Sequence, residues 1–116
     1  MDEKVKKIVS ILDKKKAMDI TAIQIKELTI IADCFIIATG TSGVHIRSLA
    51  DEVEEEMEKV GVTPHAVEGK ATGWVLMDYS DVVVHLFTPD AREYYNLERL
   101  WTDGERLDLT PLLTED

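Results

Sequence analysis

Apolar residues near the start of the chain recur three and four positions apart, with lysines between them. This spacing predicts an amphipathic helix over about residues 2–16. Residues 19–25 and 33–39 follow and are rich in β-branched and apolar side chains, which favours two strands. The second stretch is almost continuously apolar, as is typical of a central strand covered on both faces.

A turn rich in glycine and hydroxyl side chains should lead into a second amphipathic helix, which is the best defined in the chain. Apolar residues recur at helical spacing from Ile46 to Val60. Thr41 or Ser42 can cap the start of this helix, and Gly61 favours a left-handed stop at its end. The positions between the apolar residues are acidic and face a single lysine, which is best explained as a solvated helix face. The acidic residues are Asp51, Glu52, Glu54, Glu55, Glu56 and Glu58.

Three further strands are expected. Residues 63–67 favour a short strand, and residues 74–77 and 82–87 favour two more. The composition of residues 78–81 suits a turn that joins the last two strands into an antiparallel hairpin.

A short helix should follow the hairpin. Thr88-Pro89-Asp90 combines a capping hydroxyl, a proline at the first helical position and an acid near the positive end of the helix dipole. We expect Tyr94, Leu97 and Trp101 to share one face of this helix. The tail at residues 107–113 is too apolar for a free solvated end, so it should lie back on the body.

The order of elements predicts a single α/β domain over residues 1–116. About five strands should form a mixed sheet flanked by helices in two or three layers. The hairpin requires an antiparallel pair, and the strand–helix–strand segment permits a right-handed parallel crossover.

Charge and cysteine content narrow the function classes. The formal net charge is −10; residues 1–16 carry +3, so the remaining residues carry −13. That charge repels phosphate backbones, so nucleic acid is a poor primary partner, whereas a basic protein suits it. Cys34 is the only cysteine, which precludes an internal disulfide. The sequence predicts neither a secretion signal nor a membrane span, and therefore a cytoplasmic protein.

The sequence signals for a phosphate, metal or catalytic site are weak. Residues 40–43 lie between a predicted strand and a helix start, where backbone amides can hold phosphate, but they match neither GxGxxG nor GxxxxGK[ST]. Nucleotidyltransferases pair such a turn with an Asp-x-Asp on a strand, and no predicted strand carries one. His45, His65 and His85 lack the local spacing of metal ligands, and Cys34 reads as a core thiol. We expect no metal, no cofactor and no catalysis.

The aromatic residues are more informative. Large rings crowd into residues 74–101, and Trp and Tyr are frequent anchors of protein interfaces. Covering the sheet is an equally good explanation from composition alone. The rings are Trp74, Tyr79, Tyr94, Tyr95 and Trp101.

Four stretches, in this order, resemble the ribosomal silencing factor family, also called Iojap. They are residues 33–42 (DCFIIATGTS), 68–78 (EGKATGWVLMD), 81–87 (DVVVHLF) and 92–101 (REYYNLERLW). The resemblance extends over about residues 3–109. One departure is Cys34, where the family more often has tyrosine, so any contact made by that ring is in doubt.

The resemblance implies a fold similar to nucleotidyltransferases without their catalytic acids. It implies binding to ribosomal protein L-fourteen on the large ribosomal subunit, which blocks association with the small subunit and represses translation. The alternatives are a metal-dependent nucleotidyltransferase-like enzyme and an acidic adaptor for another basic protein. Exposed apolar surface also predicts self-association, as a homodimer when free. We expect the docking surface to comprise Trp74, Leu76, Asp78, His85, Arg92, Tyr94, Tyr95 and Glu98.

Overall fold

The computed structural model describes residues 2–113. Six strands form one mixed sheet in the order β3-β4-β5-β2-β1-β6, with helices against both faces. The predicted α/β fold is therefore confirmed, with one strand more than expected. The elements are α1 (Glu3–Lys14), β1 (Met18–Gln24), β2 (Cys34–Thr39), α2 (Gly43–Glu58), β3 (Ala66–Glu68), β4 (Trp74–Asp78), β5 (Val82–Phe87), α3 (Pro89–Tyr95), α4 (Leu97–Leu100), β6 (Glu105–Arg106) and a 3-10 turn (Thr110–Leu112).

Strand pairing follows the predicted mixture of directions. β2 and β5 run parallel, and the hairpin strands β4 and β5 run antiparallel. β1 also pairs antiparallel with β2 and with the additional strand β6. β6 is only two residues long, Glu105 and Arg106, too short to produce the alternation that identifies a strand in a sequence.

The two long helices each start at a side-chain cap, and α1 ends at Lys14, two residues before its predicted end. The Asp2 side chain accepts a hydrogen bond from the Lys4 amide at 2.7 Å, so α1 begins one residue later than expected. Ser42 caps α2 by accepting from the His45 amide at 3.2 Å. Gly61 follows α2 with a φ of +79°, the left-handed conformation predicted for it.

The prediction of a single helix after the hairpin is wrong, because the helix is interrupted at Asn96. This residue has φ 46° and ψ 53°, a left-handed conformation that asparagine adopts more readily than most residues. The break separates α3 from α4, so Tyr94 points into solvent while Leu97 is buried. Thr88 starts α3 without a side-chain capping hydrogen bond, and Pro89 takes the first helical position as predicted.

Two apolar cores lie on opposite faces of the sheet. α1 and α2 cover one face, where Val75 and Met77 of β4 are fully buried. α3, α4 and the loop between β1 and β2 border the other, where Phe35 and Phe87 are buried. Trp74 and Leu76 also face this second side, as strand alternation predicts, and both are half-buried.

The C-terminal tail packs on the first core. Leu109 is buried there, and Leu107, Leu112 and Leu113 are partly buried against it. This confirms the prediction that residues 107–113 lie back on the body. Among residues 2–113, no helix is long and apolar enough to cross a membrane.

Candidate functional site

Seven aromatic rings meet on the face of the sheet that lacks α1 and α2. We call this group the aromatic cluster. Neighbouring ring centroids lie 4.7 to 6.3 Å apart, within the range of favourable aromatic pairs. The cluster consists of Phe35, Trp74, His85, Phe87, Tyr94, Tyr95 and Trp101.

The outer rings of the cluster are open to solvent. Tyr94 is 81% exposed and Tyr95 is 48% exposed. The Tyr95 ring lies 4.7 Å from the Trp74 ring and 5.0 Å from the Tyr94 ring, so the three form a continuous surface. Leu100, at the end of α4, is 74% exposed. This part of the molecule therefore presents large apolar side chains to water, as protein-binding surfaces do.

His85 lies beneath this surface and is only 3% exposed. The Trp74 indole Nε1–H donates a hydrogen bond to His85 Nδ1 at 3.1 Å. Because an indole nitrogen can only donate, Nδ1 must be unprotonated, and the neutral ring carries its proton on Nε2. His85 Nε2 has no hydrogen-bond partner within residues 2–113. Burial lowers the pKa of His85 to about 4, which keeps the ring neutral.

Arg92 and Glu98 hold α3 and α4 together behind the exposed tyrosines. Their side chains are 14% and 21% exposed and form an ion pair at 3.1 Å. Arg92 also donates to the Asp19 carbonyl at 2.6 Å and to the Thr39 hydroxyl at 2.9 Å. These bonds tie the helices to the ends of β1 and β2. Of the predicted docking residues, Arg92 and Glu98 thus bind each other and leave only a small part of their side chains exposed.

Leu76 and Asp78 continue along β4 from Trp74. Leu76 pairs with His85 across the hairpin and is half-buried beside the cluster. Asp78 lies at the opposite end of the strand, where its carboxylate accepts from the Ser80 amide at 2.8 Å and shapes the turn. The structure therefore brings Trp74, Leu76, Tyr94 and Tyr95 together at the surface and leaves Asp78 at a distance.

Two buried rings, Phe35 and Phe87, lie beneath this surface and are not among the predicted docking residues. Phe35 contacts both His85 and the half-buried Trp101, whose ring lies edge-on to it at 5.4 Å. Phe87 packs against Trp74. The alternation of side chains along β2 and β5 was the sequence signal that could have placed Phe35 and Phe87 on the same face of the sheet as Trp74. Tyr79, for which the sequence left an interface role and a place against the sheet equally open, is buried in the core on the α1–α2 side, where burial raises its pKa to about 12.

The glycine turn before α2 is engaged in internal bonds. The Thr41 amide donates to His45 Nδ1 at 2.9 Å, and His45 Nε2 lies 2.9 Å from the Lys15 carbonyl. Within residues 2–113, no group of three or more His, Cys, Asp or Glu side chains is placed to hold a metal ion. Cys34 is buried as predicted, and burial raises the pKa of its thiol to about 11.

The acidic face of α2 is partly neutralised by lysines of the same chain. Lys70 lies 2.8 Å from Asp51, and Lys15 lies 3.4 Å from Glu52. These ion pairs favour the interpretation of this face as a solvated helix surface.

Comparison with known proteins identifies the family. The model of "Ribosomal silencing factor during starvation" matches residues 1–116. The chain belongs to the ribosomal silencing factor family.

Individual relatives of the ribosomal silencing factor family agree with this match. Ribosomal silencing factor RsfS of Bacillus subtilis is 40% identical over 98 residues, 84% of this chain and 83% of that protein. A crystal structure of a Chromobacterium violaceum protein has a TM-score of 0.84 at 34% identity and covers 93% of this chain and 92% of that one. "Mitochondrial assembly of ribosomal large subunit protein 1" of mouse is 35% identical over 82% of this chain and 43% of its own length.

Proposed function

We propose that this protein binds the large ribosomal subunit through the outer part of the aromatic cluster and blocks association with the small subunit, thereby repressing translation. The observation that carries the proposal is the continuous surface of Trp74, Tyr94 and Tyr95 in a chain of the ribosomal silencing factor family. The mouse relative's name, with its reference to the large subunit, points in the same direction. The resemblance makes ribosomal protein L-fourteen the proposed contact.

The chemistry of the surface suits a protein partner. Tyrosine and tryptophan bury a large area at low entropic cost and carry a polar group that tolerates a wet rim. Glu93 directly precedes Tyr94, and Asp90 lies about one helical turn before it; both acids are exposed. Exposed acids near an apolar patch favour a basic partner, because long-range attraction raises the rate of encounter.

The proposed mechanism is occupancy of the surface that the small subunit would contact. It requires a stable fold and a docking surface, and no covalent bond is made or broken. We therefore propose that the protein acts without catalysis. The absence of an Asp-x-Asp pair from the sequence supports this part of the proposal.

Subunit joining followed by light scattering tests the proposal. Increasing amounts of the protein should progressively reduce association of purified bacterial subunits, and Trp74→Ala should weaken the effect about tenfold or more, as expected for an interface anchor. Val44→Ala is the control, because Val44 is an exposed apolar residue on α2, outside the aromatic cluster. Unchanged joining at a saturating dose of the wild-type protein would refute the proposal.

The identity of the ribosomal contact needs a separate measurement. A photoreactive group at position 94 or 100 should crosslink to ribosomal protein L-fourteen on the large subunit, whereas one at position 44 should not. Crosslinking to a different basic protein would favour the adaptor alternative. Turnover of a nucleotide by the purified chain would contradict the non-catalytic mechanism.

A further inference from the structure

We propose that His85 is a positioning residue for docking, whose Nδ1 lone pair fixes the indole of Trp74 in the orientation that the partner meets. The inference rests on the proposed function and assigns His85 a role that does not require it to reach the surface. Through this bond, the docking surface is held in one shape before a partner binds.

Direct contact between His85 and a partner is blocked. Its side chain is 3% exposed, with Phe35 edge-on at 4.7 Å and Phe87 stacked at 6.3 Å. Leu76 lies opposite His85 on β4. Any effect of His85 on docking must therefore pass through a neighbour that is itself accessible.

Trp74 is the accessible neighbour of His85. It is half-buried, so part of the indole remains available to a partner. Its Nε1–H donates to His85 Nδ1 at 3.1 Å, the one side-chain hydrogen bond that the structure gives this ring within residues 2–113. The remaining ring contacts of Trp74 with Phe87 and Tyr95 are tilted at 31° and 47°. Such contacts hold a ring less directionally than a hydrogen bond does.

An acceptor at position 85 supplies directionality that an apolar residue would not. The bond to Nδ1 fixes which edge of the indole points inward, and so which edge faces the partner. It also leaves His85 Nε2–H buried without a partner. Ring packing alone would be served better by an apolar ring, which buries no unpaired donor. A surface held in its bound shape avoids the ordering cost at the moment of association.

The test uses a matched pair of variants of the full chain. His85→Asn places an amide oxygen close to the position of Nδ1 and can still accept from the indole. His85→Leu has the same branched shape with no acceptor. Both variants lose the imidazole ring, so a difference between them reports the acceptor. His85→Phe keeps a ring without an acceptor and serves if His85→Leu fails to fold.

Two readouts separate positioning from general stability. The first is the Trp74 indole N–H signal in a ¹H–¹⁵N spectrum, assigned with Trp101→Phe. It should be protected from solvent exchange in the wild type and His85→Asn and lose protection in His85→Leu. The second is affinity for purified large subunits, which should fall about tenfold in His85→Leu and stay within about threefold of wild type in His85→Asn.

The outcomes distinguish this inference from the proposed function. If the wild type does not bind large subunits, the proposed function fails, whatever the indole signal shows. If the wild type binds and folded His85→Leu binds equally well, the positioning role is refuted. Equal weakening in His85→Leu and His85→Asn would also refute it, because ring packing and not the acceptor would then matter.

Discussion

His85, Tyr79 and Cys34 each bury a titratable group, and each stays in its neutral form. Burial raises the pKa of Cys34 to about 11 and of Tyr79 to about 12, and it lowers that of His85 to about 4. The common cause is that the charged form loses its hydration in the core. Of the three, only His85 has an ordinary pKa close to neutral pH. Its burial should therefore affect the free energy of unfolding at mildly acidic pH.

Stability should fall in mild acid because of His85. The ordinary pKa of its imidazole is 6.5, and the folded protein lowers it to about 4. Between these values the unfolded chain binds more protons, so the free energy of unfolding decreases as the pH falls from 6.5 towards 4. The decrease approaches about 3 kcal/mol and is absent above pH 6.5. Urea denaturation at several pH values, compared with His85→Asn, isolates this contribution; parallel pH profiles for the two proteins would contradict it.

Side-chain orientation on β4 was predictable from the sequence, but the depth of each side chain was not. Alternation correctly placed Trp74 and Leu76 on one face and Val75 and Met77 on the other. Whether His85 would be covered depends on Phe35 of β2 and Trp74 of β4, which lie on other strands. The alternation of side chains along a strand therefore identifies which face of the sheet a residue lies on, but not which residues of other strands pack over that residue.

The α3–α4 segment owes its position to tertiary bonds. Arg92 pairs with Glu98 across the break at Asn96 and also reaches Asp19 and Thr39. Both helices are short, with seven and four residues, and neither is expected to be stable in isolation. The sequence predicted a helix here because its start signals are strong, and missed the break because it depends on the φ of one residue.

Removing the Arg92 side chain should loosen this segment. Arg92→Ala leaves the half-buried Glu98 carboxylate without its partner and abolishes the bonds to β1 and β2. We expect the free energy of unfolding to fall by about 2 kcal/mol. Urea denaturation measures this loss. Arg99→Ala is the matched control: Arg99 is exposed on α4 and should change stability by less than about 0.5 kcal/mol. Equal effects of the two substitutions would show that the Arg92 bonds are unimportant.

The loop before β4 depends on a glycine. Gly69 has φ +82°, and a Cβ atom built there would lie only 2.1 Å from the Trp74 carbonyl oxygen. Gly61 has a similar φ of +79° with open space around it. Gly61→Ala should cost about 1 kcal/mol from backbone conformation alone, whereas Gly69→Ala should cost about 2 kcal/mol or more because the strand start must also move. Thermal unfolding of the two variants tests this. Equal losses of stability would mean that the loop accommodates the added Cβ atom at position 69 without strain.

Across the whole molecule, charge and apolar surface are separated in a way that suits docking. α1 and α2 cover one face of the sheet with their apolar sides, and their outer sides carry acids that partly pair with lysines of the same chain. The opposite face carries the aromatic cluster, with Tyr94, Tyr95 and Leu100 exposed. Charge composition indicated a basic partner from the sequence. The location of the apolar patch needed the structure, because its rings come from β2, β4, β5 and the C-terminal helices.

Salt should act in opposite directions on the two associations predicted for this surface. Two copies of the chain each carry a net charge of −10, so their mutual repulsion opposes a homodimer through the aromatic cluster. Salt screens that repulsion. Raising the salt concentration from about 0.05 to 0.3 M shortens the Debye length from about 14 to 6 Å. Self-association should therefore strengthen, as measured by sedimentation velocity at micromolar concentration.

Docking on a basic ribosomal protein should weaken over the same range of salt, because the long-range attraction is screened. Tyr94→Ser should weaken both associations at every salt concentration, since it removes apolar contact area and leaves the net charge unchanged. Val44→Ala should alter neither, because Val44 lies on α2. A protein that stays monomeric at all salt concentrations would contradict the homodimer. Docking that strengthens with salt would show that apolar burial, and not the acidic charge of the body, selects the partner.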